Sequence, residues 1–178
     1  MLLHDDVKAG NIRAVARQLD EGVEVDTRDA AQGLTPLMIA VSSEQSSIEM
    51  VRLLIRRGAD VNALEPEGQE SVLALAVREG TLKKVEVLLD AGGDISYQRE
   101  GGYNVLINAV HSRAMAQGDA MLSLLELLLS HGAPVLGESD WGESALSVSS
   151  HRGRFDVVQR LLAAGADRAL LEALRVAA

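Results

Sequence analysis

The chain repeats itself, and that leaves few folds open to it. Leu53-Leu54-Ile55-Arg56-Arg57-Gly58-Ala59-Asp60-Val61-Asn62, Leu88-Leu89-Asp90-Ala91-Gly92-Gly93-Asp94-Ile95-Ser96 and Leu161-Leu162-Ala163-Ala164-Gly165-Ala166-Asp167 can be laid over one another. Weaker copies run from Leu19 to Asp26 and from Leu128 to Val135. A period of roughly thirty to forty residues, closed each time by Gly, a small residue and Asp, predicts stacked supersecondary units. The 178 residues hold about five of them. Each unit buries its apolar face only against a neighbour, and such stacks are surfaces for holding other proteins far more often than sites of chemistry.

Composition fits stacked helices. Apolar residues make up 47% and aromatics only 2%. The core is therefore Leu, Val, Ile and Ala, which suits closely packed helices better than a sheet sandwich. Cysteine is absent, which excludes disulfides and thiolate metal sites. A net charge of −9 argues against a nucleic-acid partner and against an anionic membrane surface. The start, Met1-Leu2-Leu3-His4-Asp5-Asp6, lacks the basic and apolar regions of a signal peptide, and no apolar run approaches the roughly 18 residues of a membrane span. These features predict a cytoplasmic protein. The lysines are only Lys8, Lys83 and Lys84, and that excess of Arg over Lys suggests a bacterial source.

The second unit shows the frame best. Thr35 is a good N-cap, and Pro36 sits at the first helical position, where a missing N–H costs nothing. Leu37, Ala40 and Val41 follow at helical spacing. A polar turn leads to a second helix, on which Ile48, Val51, Leu54 and Ile55 form an amphipathic stripe. Gly58 ends it, and Asp60-Val61-Asn62 leads out into an extended loop. Ser71, Asn104 and Ser144 take the place of Thr35 in the next three units, and all can cap a helix.

The Gly33-Leu34-Thr35-Pro36-Leu37 opening and the Gly58-Ala59-Asp60-Val61-Asn62 close resemble the ankyrin repeat, and the resemblance covers nearly the whole chain. It implies an all-α repeat solenoid of helix–turn–helix units with hairpin-like fingers. The expected units are 1–28 as an N-terminal cap, 29–64, 65–98, 99–136 and 137–169, with a closing helix over 170–178. Two departures stand out. The family's opening-motif His is absent, with Met38, Ala74, Ile107 and Ser147 in its place, so the bonds it makes must be lost or replaced. The fourth unit carries extra residues, Ser112 to Asp119, expected to extend its first helix or to project as a loop.

Motifs for chemistry are missing. The chain has no phosphate-binding loop with Lys, no His-Glu-x-x-His and no nucleophile elbow, so neither an enzyme nor a cofactor site is expected. His111 and His151 fall at equivalent places in neighbouring units, but a shared metal would need a third ligand from elsewhere. The carboxylates near Asp5-Asp6 and Glu65-Glu67-Glu70 have no visible pocket-forming partner, and a solvated acidic face accounts for them.

The resemblance implies binding in the concave groove formed by the first helices and the fingers. It places Arg78, Glu79, His111, His151 and Arg152 on the first helices and Arg99, Tyr103, Asp140 and Trp141 at the fingers. Trp141, the only Trp, is either an anchor for a partner or a packing residue against the neighbouring finger. The expected function is a non-enzymatic protein–protein interaction scaffold, monomeric by itself, whose acidic balance suits a partner with a basic surface. Two alternatives remain at this level. One is a bacterial inhibitor or immunity protein covering a cognate toxin; the other is the ankyrin portion of a larger effector.

Overall fold

Short polar side chains start the inner helix of every unit but the first, where Leu2 stands at the cap position. In the computed structural model, which describes residues 2–66, 70–116 and 118–166, the helices are α1 (Leu3–Lys8), α2 (Ile12–Asp20), α3 (Pro36–Ser42), α4 (Ile48–Arg56), α5 (Val72–Glu79), α6 (Leu82–Asp90), α7 (Val105–His111), α8 (Gly118–Ser130), α9 (Ala145–His151) and α10 (Phe155–Leu161). The Thr35 hydroxyl accepts from the Met38 N–H at 3.3 Å and the Ser71 hydroxyl from the Ala74 N–H at 3.2 Å. Asn104 Oδ1 accepts from Leu106 and Ile107 at 3.0 and 2.9 Å, and Ser144 Oγ from Ser147 at 3.1 Å. Each satisfies N–H groups that the first helical turn leaves without partners.

The positions of the missing family His are used differently in each unit. Ser147 Oγ accepts from the Ser144 N–H at 2.9 Å, closing a reciprocal box, and Met38 Sδ takes the same role for Thr35 at 3.4 Å. Ala74 and Ile107 have no side-chain acceptor to offer. In the fourth unit the cap itself reaches the next finger, where Asn104 Nδ2 donates to the Pro134 carbonyl at 3.4 Å.

A common hydrogen bond ends the outer helices. Gly58 lies at φ 88°, a left-handed conformation that glycine adopts without strain, and the Ala59 N–H turns back to the Leu54 carbonyl at 3.0 Å. Equivalent bonds run from Val23 to Gln18, Gly93 to Leu88 and Ala133 to Leu128. Leu54, Leu88, Leu128 and Leu161, each fully buried, all stand four residues before their glycine. Distance from the glycine, and not the start of each Leu-Leu pair, sets the structural alignment. Truncating one of these leucines to Ala costs about 3 kcal/mol in lost burial and cavity.

The chain divides into two compact units, Met1–Asp94 and Ile95–Ala178. In the first, α3 packs between α1 and α5, while α4 packs against α2 and α6. Helix α5 buries six consecutive residues, Val72 to Val77, which explains why it is apolar on every side. Helix α4 buries Met50, Val51, Leu53 and Leu54 and exposes Glu49, Arg52 and Arg56, as an amphipathic outer helix should. Lys84 on α6 is only 6% exposed. Its Nζ donates to the Ala40 and Ser43 carbonyls, both at 2.8 Å, and so closes the C-terminal end of α3. Loops are tied as well: Arg28 donates to the carbonyls of Gly33 and Leu64, and Asn62 bridges Gly92 and Asp94.

In the second unit α7 packs on α9 and α8 on α10. The described extra residues, 112–116 and 118–119, neither lengthen α7 nor project as a loop. Ser112 stops α7, and Arg113–Ala116 form one tight 3-10 turn that buries Ala114 and Met115. The remaining added length goes into α8, which runs for 13 residues. Arg154 clamps the turn by donating to the carbonyls of Met115 and Gly118 at 2.5 and 3.3 Å. The closing helix expected over 170–178 lies outside the described residues.

Candidate protein-binding surface

Two glycines bring the fingers of the second unit together. Gly101 has φ 85°, and a Cβ there would lie 2.8 Å from Cζ3 of Trp141. A Cβ on Gly102 would meet the Glu138 carbonyl oxygen at 2.7 Å. Only side chains of zero size let the second finger lie this close, and the Asp140 N–H then donates to the Gly101 carbonyl at 2.9 Å. The indole of Trp141 therefore rests against its neighbour's turn while remaining 72% exposed. The indole thus packs on the adjacent finger while most of its surface stays open.

Tyr103 is the centre of an aromatic and charged cluster. Its ring centroid is 5.9 Å from that of Trp141 and 6.4 Å from that of His111. The Arg99 guanidinium carbon sits 4.3 Å over the Tyr103 ring, within cation–π range. The Tyr103 hydroxyl donates to Glu143 Oε2 at 2.9 Å, and this bond to a carboxylate holds the phenol above its ordinary pKa. On the other side, Arg152 Nη2 lies 3.0 Å from His111 Nδ1. A guanidinium can only donate, so Nδ1 accepts and the ring hydrogen sits on Nε2, which faces Glu143 Oε2 at 3.7 Å. Arg152 Nη1 also donates to the Val110 carbonyl at 2.9 Å, which fastens α9 to the end of α7.

Five of the nine residues expected from the sequence, Arg99, Tyr103, His111, Trp141 and Arg152, thus form one connected cluster. Asp140 adjoins it through its backbone, with its side chain exposed, and His151 is exposed at the end of α9. Arg78 and Glu79 belong to the other compact unit. Arg78 Nη1 bonds Glu70 Oε2 at 2.5 Å and lies 4.0 Å from Glu79. The sequence sets Glu143 among the finger residues of the groove but gives it no role; in the structure it joins Tyr103 to His111. A signal for it existed: Glu70 and Glu143 both stand immediately before a Ser cap, and each meets a basic side chain of an inner helix. Among the described residues no three His, Asp or Glu side chains converge as metal ligands would.

A family model described as ankyrin repeats (3 copies) matches residues 3–99 and 73–171. The chain belongs to the ankyrin repeat family. It is 31% identical, over 94% of its length, to the B-cell lymphoma 3 protein homolog of Mus musculus, of which it covers 44%. It is 33% identical, over 89% of its length, to the ankyrin repeat and SOCS box protein 6 of Mus musculus, covering 41% of that protein. A putative ankyrin repeat-containing protein of Treponema pallidum (strain Nichols) is 34% identical over 78% of the chain, with 43% of its own length covered. The chain thus spans less than half of each of these relatives. Ankyrin repeats are protein-interaction modules and in general not enzymes. Among the described residues no helix is long and apolar enough to cross a membrane.

Proposed function

We propose that this chain is a non-catalytic scaffold that holds a partner protein on the finger and inner-helix surface around Trp141. The observation that carries this reading is an indole 72% exposed yet fixed in place by Gly101 and Tyr103. Trp, Tyr and Arg are enriched among binding hot spots, and the aromatic ones supply large contact area with few torsions to freeze. The hydrogen bonds from Tyr103 to Glu143 and from Arg152 to His111, with Glu143 facing His111 at 3.7 Å, hold this surface before any partner arrives, so little conformational entropy is lost on binding. Asp140 and His151 lie at its rim, and Arg78 and Glu79 offer a further contact patch on the first unit. Its expected setting is the cytoplasm of a bacterium, as a monomer, with a partner that presents basic residues.

The test is Trp141→Ala in the full chain. Truncating an exposed residue leaves the melting temperature within about 2 °C of native, whereas losing a hot spot weakens the partner by about 30-fold or more. Equal affinity of the native and variant chains for the partner would remove Trp141 from the interface.

A further inference from the structure

We infer that the partner places a cationic side chain, arginine or lysine, over Trp141 and pairs it with the carboxylates of the two joined finger tips. This rests on the finger surface being the binding site, and it adds the chemistry of the group that binds there. The first reason is internal. Of the two adjacent rings, Tyr103 already carries a cation, since Arg99 lies 4.3 Å over it, while Trp141 is open to solvent over most of its surface. Indole is the best of the aromatic side chains at attracting a cation to its face. Charge is the second reason. The close approach of Gly101 to Trp141 and of Gly102 to Glu138 and Ser139 sets Glu100, Glu138 and Asp140 on adjoining turns, and all three are exposed. Among the described residues none of the three takes part in an ion pair. Arg99 is occupied with Tyr103, and Arg152 with Val110 and His111. The tips therefore present three carboxylates outside any ion pair beside an open indole, within a chain of net charge −9. A neutral apolar side chain would use the indole and leave the carboxylates unpaired. A carboxylate would be repelled.

Trp141 is the only Trp, so its emission reports on this site alone. The probes are hexa-arginine with blocked termini and hexa-citrulline, which is nearly isosteric and neutral. Both are titrated into the full native chain, into Glu138→Gln/Asp140→Asn, and into a control with two charges removed from the other compact unit, Glu86→Gln/Asp90→Asn. Thermal melts check that all three chains are folded. Hexa-arginine is expected to change the emission saturably in the native and control chains, with the apparent affinity at least tenfold weaker in the finger variant. Hexa-citrulline is expected to give no saturable change. The inference fails if the two peptides act alike, or if the finger variant loses no more than the control. A partner that needs Trp141 but is not displaced by hexa-arginine would overturn the cation alone and leave the finger surface standing. A partner indifferent to Trp141 would overturn both.

Discussion

Lys84 provides the sharpest energetic test of how neighbouring repeats are joined. Its ammonium is buried and donates to the Ala40 and Ser43 carbonyls at 2.8 Å, with Val41 at 3.4 Å, all at the end of α3. Lys84→Met keeps the apolar stem and removes the donors. Each short bond from a charged donor is worth about 1.5–3 kcal/mol, and the abandoned carbonyls lose their partner in a water-poor place. Against this, burial penalises the charge, which also pushes the Lys84 pKa down. The net expectation is a loss of about 3 kcal/mol, or about 6–12 °C in melting temperature for a chain of this size. Urea unfolding followed by far-UV circular dichroism measures it, with Lys83→Met as the exposed neighbour that should change little. The sign of the pH effect follows from the lowered pKa. Between the folded value and the ordinary 10.5, the unfolded chain binds more protons, so native stability rises with pH across that window. The methionine variant lacks this rise. A Lys84→Met chain as stable as native, or more stable, would refute the reasoning and show that desolvation outweighs the three bonds.

Three further outcomes are expected. The Arg154 hydrogen bond holds the Asp156 carboxyl at about 2, so its contribution is present above the ordinary carboxylate pKa and is lost as pH falls through the folded value. With the Asp156 side chain 42% exposed, Asp156→Asn should flatten acid unfolding by less than about 1 kcal/mol, read from urea midpoints between about pH 5 and 2. Glu143→Gln removes the charge that keeps the Tyr103 phenol neutral, so absorbance near 295 nm should show it ionising at lower pH than in the native chain; an unchanged titration would contradict the Tyr103–Glu143 bond. Gly101→Ala forces a side chain into positive φ and against the indole, so it should cost more than about 1 kcal/mol and shift Trp141 emission, while unaltered emission would contradict the packing.

Local chemistry made the repeat frame legible in the sequence. Thr35, Ser71, Asn104 and Ser144 announce helix starts by residue type, and the glycine of each close announces an end. Interactions between units were not legible in that way. Lys84 reads as a surface lysine because its acceptors lie more than 40 residues earlier in the chain. Glu143 reads as one more acidic finger residue until Tyr103 and His111 are brought to it. Ser112 to Asp119 reads as surplus length; its small apolar pair Ala114 and Met115 turns inward, because burying them is favourable and Arg154 satisfies the freed carbonyls.

The central claim is that the finger surface around Trp141 holds the partner. Phe155, on α10, is the other strongly exposed aromatic, at 70%, and supplies the natural competitor. Partner affinity should be measured for the native chain, Arg99→Ala/Trp141→Ala and Phe155→Ala, beginning from capture in a lysate of the source organism. The account predicts loss of the captured protein with the double variant and retention with Phe155→Ala. Retention by the double variant, with loss on Phe155→Ala, would contradict it and move the interface to the outer helices.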